Sequence, residues 1–210
     1  MKNQIKQIIS LYNRIKPEIE KKLKIFSKKG ELLDKKEILD ELCFCILTPQ
    51  SKAEICWGCI EKIRKNKLIE HGKYHDILNC LKSVRFYRTK AGRIIEAKKY
   101  IDELIDVLKS EKDPCEIRQW IVENIKGLGM KEATHFLRNI GKSGNLAILD
   151  RHILRKLQKL KIIKEVPASI NKRKYIEIEK KMQNFAKKIK IPVSHLDFVF
   201  WYQETGRIFK

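Results

Sequence analysis

The stretch KGLGMK, residues 126–131, breaks a long helical pattern with two glycines, Gly127 and Gly129. Glycine destabilises the interior of a helix and is typical of places where the backbone turns or comes close to a partner. The flanking segments DPCEIRQWIVENI and MKEATHFLRNI have the pattern of helices. The sequence therefore predicts two helices joined by a tight turn, with Lys131 in the first turn of the second helix.

The charge of the chain indicates what this turn could face. The 210 residues contain 47 Lys and Arg against 26 Asp and Glu, a net charge of +21. The first N–H groups of a helix lack helical partners, and with the helix dipole they form an anion site suited to a phosphate. A basic helix–hairpin–helix therefore favours nucleic acid as the partner. A turn without a ligand and a merely solvated charge are the alternatives.

The rest of the chain is also predicted to be helical, because its apolar residues recur at spacings of three and four. Asp113 followed by Pro114 and Glu116 is typical of a helix start. Ser51 and Ser194 are expected to cap the helices that follow them. The segment LKIIKEV is the best candidate for a strand, and we interpret it as a loop. The predicted fold class is all-α.

Neither a membrane anchor nor a disulfide framework is expected. The N-terminal residues carry charges every few positions, and no apolar run approaches the roughly 20 residues that span a bilayer. The chain has six cysteines, two of which form Cys56-Trp57-Gly58-Cys59. Buried helical thiols are the favoured interpretation of this C-x-x-C pair, with a disulfide or a metal site as alternatives.

A more specific pattern links Gly127, Gly129 and Lys131 to Asp150, which follows the lysine by nineteen residues. The sequences KGLGMKEA and LDRHI resemble the helix–hairpin–helix DNA glycosylases. Members that also cleave the strand have a Gly-x-Gly-x-Lys hairpin and an aspartate at this spacing. The resemblance, which extends from about residue 38 to the end, implies that Lys131 and Asp150 are catalytic.

Further motifs narrow the resemblance. ILTPQSKAE is similar to a family loop in which Gln50 would fill the gap left by an extruded nucleotide, and FYRTKAGRIIEA is similar to a family helix start. No cysteine follows Cys115, which excludes the four-cysteine iron–sulfur cluster of some relatives. The chain is most similar to the compact, archaeal-type (type 2) 8-oxoguanine DNA glycosylase/AP lyases. That resemblance implies a base pocket formed by Phe86, Trp201 and the terminal carboxylate of Lys210.

The implied chemistry suits these residue types. Loss of the base develops positive charge at C1′, which the Asp150 carboxylate would stabilise. An unprotonated Lys131 amine would attack C1′, form a Schiff base and permit β-elimination. Asp150 is also a plausible N-cap for RHILRKL. The residues expected to bind DNA are Gln50, Lys126, Gly127 and Gly129, and the interpretation of His135 and His152 is structural or phosphate-contacting.

The resemblance also implies an architecture. We expect two lobes with the active cleft between them. One is a helical bundle in residues 35–145 that ends in the hairpin, and the other is a C-terminal lobe in 146–210, with which the N-terminal helices in 1–34 pack. No metal or organic cofactor is required for the mechanism, although a monovalent cation at the hairpin is compatible with it. The expected partner is damaged double-stranded DNA. We expect a monomer in the cytoplasm, associated with the nucleoid when on DNA.

Two other functions fit the sequence less completely. One is a glycosylase/lyase for another oxidised base, since specificity depends on the shape of the pocket. The other is a non-catalytic helix–hairpin–helix DNA-binding protein, which would explain the charge and the glycines. It would not explain the spacing between Lys131 and Asp150.

Overall fold

A computed structural model of the chain describes residues 2–210, and within that range the secondary structure is entirely helical. The prediction of an all-α fold is confirmed. The helices are α1 (Lys2–Leu32), α2 (Lys35–Leu47), α3 (Ala53–Lys65), α4 (Leu68–His71), α5 (Tyr74–Cys80), α6 (Tyr87–Ala97), a 3₁₀ turn (Lys98–Tyr100), α7 (Ile101–Lys109), α8 (Pro114–Asn124), α9 (Met130–Asn139), α10 (Arg151–Lys159), α11 (Lys172–Ile189) and α12 (Val193–Thr205).

The chain divides into two compact units. The first, which we call the terminal unit, comprises Met1–Phe26 and Ser143–Lys210; the second, the central unit, is Ser27–Lys142. Helix α1 contributes residues to both. None of the helices formed by residues 2–210 is long and apolar enough to cross a membrane.

Helix α2 lies at the centre of the central unit. Every residue from Ile38 to Leu47 is buried, since α2 packs against α3, α6, α7 and α9. A helix that is apolar on nearly all sides is stable only when it is surrounded in this way. Two carboxylates in this run are compensated: Asp40 is paired with Arg64 at 2.6 Å, and Glu41 with Lys29 at 2.5 Å. Buried charges need such partners.

The terminal unit is built on α10, α11, α12 and the first part of α1. Helix α12 packs against both α10 and α11. From α1, Tyr12 donates or accepts a hydrogen bond with His195 at 3.2 Å, and the Phe26 ring stacks on Phe198. The amphipathic face of α1 that is buried consists of Ile8, Tyr12, Ile15 and Ile19.

Three local expectations differ from the structure. The N-terminal segment forms one helix, which continues through Pro17 because a buried face spans the position where one hydrogen bond is lost. Ser51 does not cap α3, whose N-cap is Lys52, and Ser194 lies inside α12, which begins after Pro192. By contrast, the capping box of Asp113 and Glu116 is confirmed.

Candidate active site

The hairpin between α8 and α9 has the geometry that its glycines predict. Gly127 has a φ of +95°, in the region that favours glycine. A Cβ at this position would lie 2.5 Å from Cδ of Arg93, so a side chain would also meet an obstacle. Leu128, between the glycines, is buried and fixes the turn to the unit. The backbone of residues 127–129 is therefore brought to the surface in a defined shape.

The two helices of the hairpin are also joined directly. The Arg118 guanidinium of α8 donates to Oγ1 of Thr134 at 3.1 Å, and that hydroxyl donates to the carbonyl of Met130 at 2.8 Å. Both side chains are buried. A polar cross-link of this kind fixes the angle between the helices and hence the direction of the α9 axis.

The N-terminus of α9 is open. Gly129 is its N-cap and provides no side-chain acceptor, so the first N–H groups of the helix are available to an anion. Lys131 is the second residue of the helix, and its side chain is 24% exposed. Its Nζ lies 3.7 Å from a carboxylate oxygen of Glu132. An amine in this place is accessible to a substrate, and a carboxylate lies beside it.

Lys126, predicted to bind DNA, lies on the surface before the turn. Its ammonium group pairs with Glu96 at 2.7 Å, and this hydrogen bond raises the pKa of Lys126. The side chain is 74% exposed. Exposed pairs of this kind contribute little stability, so a phosphate could replace Glu96 as the partner.

Asp150 is the N-cap of α10, as the sequence suggested. Its Oδ1 accepts a hydrogen bond from the N–H of Ile153 at 2.8 Å. The residues before it are held by α11: Glu179 accepts from the N–H of Ala147 at 2.8 Å, and the Tyr175 hydroxyl accepts from the N–H of Leu149 at 3.2 Å. Because one oxygen serves the cap, the carboxylate is oriented and its second oxygen can face a developing positive charge.

Trp201 lies beside the start of α10. The ring of His152, two residues after Asp150, meets the indole edge-on at a centroid distance of 5.3 Å. Trp201 is half-exposed rather than part of the core. Within the terminal unit, Trp201 therefore packs against a residue two positions after the predicted carboxylate.

The residues that follow α12 turn back at Gly206, whose φ is +72°. The N–H of Gly206 donates to the carbonyl of Tyr202 at 2.8 Å, which ends the helix. Ile208, Phe209 and Lys210 are half-buried. A segment that is half-buried to its last residue can hold Lys210 in a defined position, which its predicted role requires.

Gln50 and Phe86 lie in the central unit, and both have left-handed backbones, with φ of 56° and 60°. Such values are uncommon for residues other than glycine. The Phe86 ring is 53% exposed, and the Arg85 guanidinium lies 4.8 Å from its centroid. An exposed aromatic ring supported by a cation has the properties of a surface on which a base can stack.

The cysteines and histidines do not form a second site. Cys56 and Cys59 are free and buried, which confirms the favoured interpretation of the C-x-x-C pair. Burial raises the pKa of Cys56 to about 11. Among residues 2–210 no group of three or more His, Cys, Asp and Glu could hold a metal ion.

One residue that the sequence analysis missed is Lys90. It is 2% exposed, and its ammonium group bonds to the loop that carries Gln50. A signal was present, since Lys90 lies on the same helical face as Ala91, Ile94 and Ala97, where an apolar residue is expected. A lysine on an apolar face can be recognised as unusual, but its partners cannot be read from the sequence.

The hairpin, the lysine in the first turn after it and the all-helical architecture together define a helix–hairpin–helix DNA glycosylase fold. A family model described as 8-oxoguanine DNA glycosylase matches residues 19–191. The chain belongs to this family, in agreement with the predicted resemblance.

Individual relatives are similar over nearly their full lengths. An 8-oxoguanine DNA glycosylase/AP lyase from Fusobacterium nucleatum is 42% identical over 209 residues, which cover 97% of this chain and 96% of the relative. The crystal structure of the 8-oxoguanine DNA glycosylase of Thermotoga maritima has a TM-score of 0.92 at 30% identity, with complete coverage of both chains. The Methanocaldococcus jannaschii 8-oxoguanine glycosylase/lyase, in complex with a 15mer DNA containing 8-oxoguanine, has a TM-score of 0.90 at 35% identity, with 99% coverage of both.

Proposed function

We propose that this chain removes 8-oxoguanine from DNA and then cleaves the strand at the resulting site, with Lys131 as the nucleophile and Asp150 as the electrostatic stabiliser. The observation that carries this proposal is the position of Lys131, at the uncapped N-terminus of α9 directly after the Gly127–Gly129 turn. An amine there can reach a sugar whose neighbouring phosphate binds the first N–H groups of the helix.

Each group has a defined role in the proposed reaction. The bond between C1′ and the base breaks, and its electron pair leaves with the base. The positive charge that develops at C1′ is stabilised by the Asp150 carboxylate. The lone pair of Lys131 Nζ forms the new bond to C1′, and the nitrogen loses a proton to the departing base, which holds the electron pair of the broken bond.

Strand cleavage follows from the same covalent bond. Opening of the sugar ring gives an imine between Nζ and C1′, with the ring oxygen leaving as the C4′ hydroxyl. The imine acidifies the C2′ proton; solvent takes up this proton, and the electron pair of the C2′–H bond expels the 3′ phosphate by β-elimination. Hydrolysis of the imine then frees Lys131. No step requires a metal or an organic cofactor.

Binding to the duplex would rest on the hairpin and on charge. The N–H groups at the start of α9 and the exposed ammonium group of Lys126 suit phosphates, and the net charge of +21 favours DNA over neutral partners. A monovalent cation at the hairpin is compatible with this proposal, and no step of the mechanism is routed through it. We further propose a monomer acting on the nucleoid in the cytoplasm.

Base recognition would require the lesion to leave the stack. We propose that Gln50 fills the vacated space, because it lies at an exposed loop tip. The half-exposed indole of Trp201 and the exposed ring of Phe86 suit the two faces of the extruded base. A carboxylate at Lys210 could accept a hydrogen bond from N7–H of 8-oxoguanine, whereas N7 of guanine is itself an acceptor.

A panel of duplexes with single lesions, treated with borohydride, tests this proposal. We expect a covalent adduct and strand cleavage on duplexes with 8-oxoguanine and with a preformed abasic site. Adducts on an oxidised pyrimidine and not on 8-oxoguanine would identify the alternative glycosylase. Binding without an adduct on any duplex, including the abasic one, would identify a non-catalytic DNA-binding protein.

The role of Lys210 needs a separate comparison. Appending residues after Lys210 removes the carboxylate from its place, so we expect slow excision of 8-oxoguanine and normal cleavage at preformed abasic sites. Lys210→Ala keeps a carboxylate at the same position and should have the smaller effect. Equal excision rates for the extended and the original protein would exclude this contact.

A further inference from the structure

Lys90 of α6 is a buried cation without a carboxylate among its hydrogen-bond acceptors. Its Nζ donates to the carbonyl of Leu47 at 2.7 Å, to the carbonyl of Pro49 at 2.7 Å and to Oγ of Ser51 at 3.2 Å. Burial lowers the pKa of Lys90. Placing a charge in the interior is costly, and an apolar side chain would pack on this face of α6 without that cost. The hydrogen bonds that the ammonium group makes therefore need an explanation.

The acceptors of Lys90 all belong to one short segment. Leu47 is the last residue of α2, and Pro49 and Ser51 flank Gln50 on both sides. A cation at the C-terminus of a helix interacts favourably with the helix dipole. The ammonium group therefore ties the Gln50 loop to the end of α2, a helix that is buried along most of its length.

The same network includes the turn that carries Phe86. Oγ of Ser51 accepts a second hydrogen bond, from the N–H of Arg85, at 3.2 Å. Lys90 itself lies one helical turn after Phe86, and its N–H donates to the carbonyl of Phe86 at 3.0 Å. The loop of Gln50 and the turn of Phe86 are therefore joined through Ser51 and Lys90, although they are distant in sequence.

Both joined positions have an unusual backbone. The φ values of Gln50 and Phe86, 56° and 60°, are sparsely populated by residues with side chains. Such conformations persist where the surroundings hold them in place. The hydrogen bonds of Lys90 and Ser51 act on the residues adjacent to both positions, so they are suited to holding the two side chains at a fixed separation.

We propose that Lys90 is a positioning residue that couples the Gln50 loop to the Phe86 turn, so that filling the gap in the duplex and stacking the extruded base occur together. This inference rests on the proposed function, in which Gln50 fills the gap in the duplex and Phe86 stacks on the extruded base. Lys90 touches neither the substrate nor the reacting atoms. The effect of replacing Lys90 should therefore depend on the free energy needed to extrude the base.

The variant Lys90→Met, in the full chain, tests this coupling, because methionine fills similar space without donating hydrogen bonds. Single-turnover excision of 8-oxoguanine is measured in a fully paired duplex and in a duplex with the lesion in an unpaired bubble, where little extrusion is needed. The concentration of competent enzyme is set by borohydride trapping on abasic DNA. We expect the paired-to-bubble rate ratio to fall by about tenfold or more, since small misplacements of positioning groups have effects of this order.

Lys98→Met is the matched control. Lys98 also donates to backbone carbonyls, those of Glu70 at 3.4 Å and Gly72 at 3.2 Å, but these belong to α4 and to the residue that follows it. We expect its rate ratio to equal that of the original protein. If Lys90→Met lowers both rates equally, Lys90 only stabilises the fold and the coupling is wrong.

Ser51→Ala provides a second variant in case Lys90→Met does not fold. It removes the acceptor shared by Lys90 and Arg85 and keeps the two carbonyl contacts, so we expect the same change in ratio with a smaller size. An unchanged ratio in a folded Ser51→Ala protein would overturn the proposal if Lys90→Met is unfolded.

Hydrogen exchange separates this inference from the proposed function. In Lys90→Met, or in Ser51→Ala, amide exchange should accelerate together in residues 48–52 and 85–87, relative to Lys98→Met. This readout needs no substrate, so it holds even if the original protein shows no excision of 8-oxoguanine. Acceleration in one segment alone, or in neither, would contradict the coupling.

Discussion

The N-termini of α9 and α10 differ in how their first backbone N–H groups are satisfied. Both present N–H groups without helical partners. At α10 the side chain of Asp150 fills the vacancy, with a hydrogen bond of 2.8 Å to Ile153. At α9 the N-cap is Gly129, which has no side chain to offer. One helix start is closed by the protein itself, and the other is left for an external anion.

This difference matches the roles proposed for the two helix starts. The open start in the central unit suits a DNA phosphate and places Lys131 beside it. The closed start in the terminal unit uses the cap to orient a carboxylate whose second oxygen is available for chemistry. Helix α10 therefore has a side-chain N-cap that orients the proposed catalytic carboxylate, whereas α9 lacks one and leaves the N–H groups that we propose bind a DNA phosphate.

Removing the nucleophile beside the open start should have the largest effect. We expect Lys131→Gln to abolish both strand cleavage and borohydride trapping, because an amide cannot form a Schiff base. Duplex affinity should stay within a few-fold of the original, measured by fluorescence anisotropy. Lys36→Gln, which removes an exposed lysine paired with Glu70 in the same unit, is the control and should trap normally. Trapping that persists in Lys131→Gln would assign the nucleophile to another residue.

Neutralising Asp150 separates its proposed catalytic role from its role as the N-cap of α10. Asparagine caps helices about as well as aspartate, so Asp150→Asn should fold normally. Losing an electrostatic stabiliser should slow base removal by about a hundredfold or more. Single-turnover excision and a thermal melt give the two numbers. A variant that is less stable but turns over normally would show that Asp150 is only a cap.

A capping side chain at Gly129 would make the N-terminus of α9 resemble that of α10. The backbone of Gly129 is extended, so other residues fit, although a Cβ would lie 3.3 Å from a carboxylate oxygen of Glu132. Gly129→Asn should occupy the N–H groups and weaken duplex binding by about tenfold, the size of one lost charge-assisted hydrogen bond. Gly129→Asp should weaken it more, because it also repels the phosphate. Titrations across a salt series measure both, and unchanged affinities would mean that the phosphate binds elsewhere.

Removing the side-chain cap of α10 should have the smallest effect, which is a loss of stability. Asp150→Ala loses the cap as well as the charge, so it should be less stable than Asp150→Asn by about 1 kcal/mol. Its excision rate should match that of Asp150→Asn, because both lack the carboxylate. Denaturant unfolding of the two variants measures the difference. Equal stabilities would show that the 2.8 Å contact to Ile153 does not contribute.

Local patterns predicted most of what surrounds these helix starts. The hairpin follows from two glycines between apolar periodicities, and the cap at Asp150 follows from residue type and position. Ser51 shows where such reasoning fails. Its sequence context favours an N-cap, but its hydroxyl accepts from Arg85 and Lys90, which lie more than thirty residues away. A tertiary contact replaced the local one, and the sequence contains no distance information from which to foresee it.

The left-handed backbones of Gln50 and Phe86 could not be predicted either. Neither residue type favours a positive φ, so the conformation reflects the surroundings and not the residue. Lys90 was missed for a related reason: lysine is almost always exposed. Residues whose conformation or burial differs from the usual preference of their residue type are the hardest to predict from a single sequence.

The buried thiols have a consequence for life under oxidative stress. Oxidants attack the thiolate rather than the thiol, and only where they can reach it. Burial raises the pKa of Cys43 and Cys56, and Cys45 and Cys59 are equally enclosed. Peroxide that damages guanine would therefore find these four sulfur atoms shielded, while Cys115 lies on the surface.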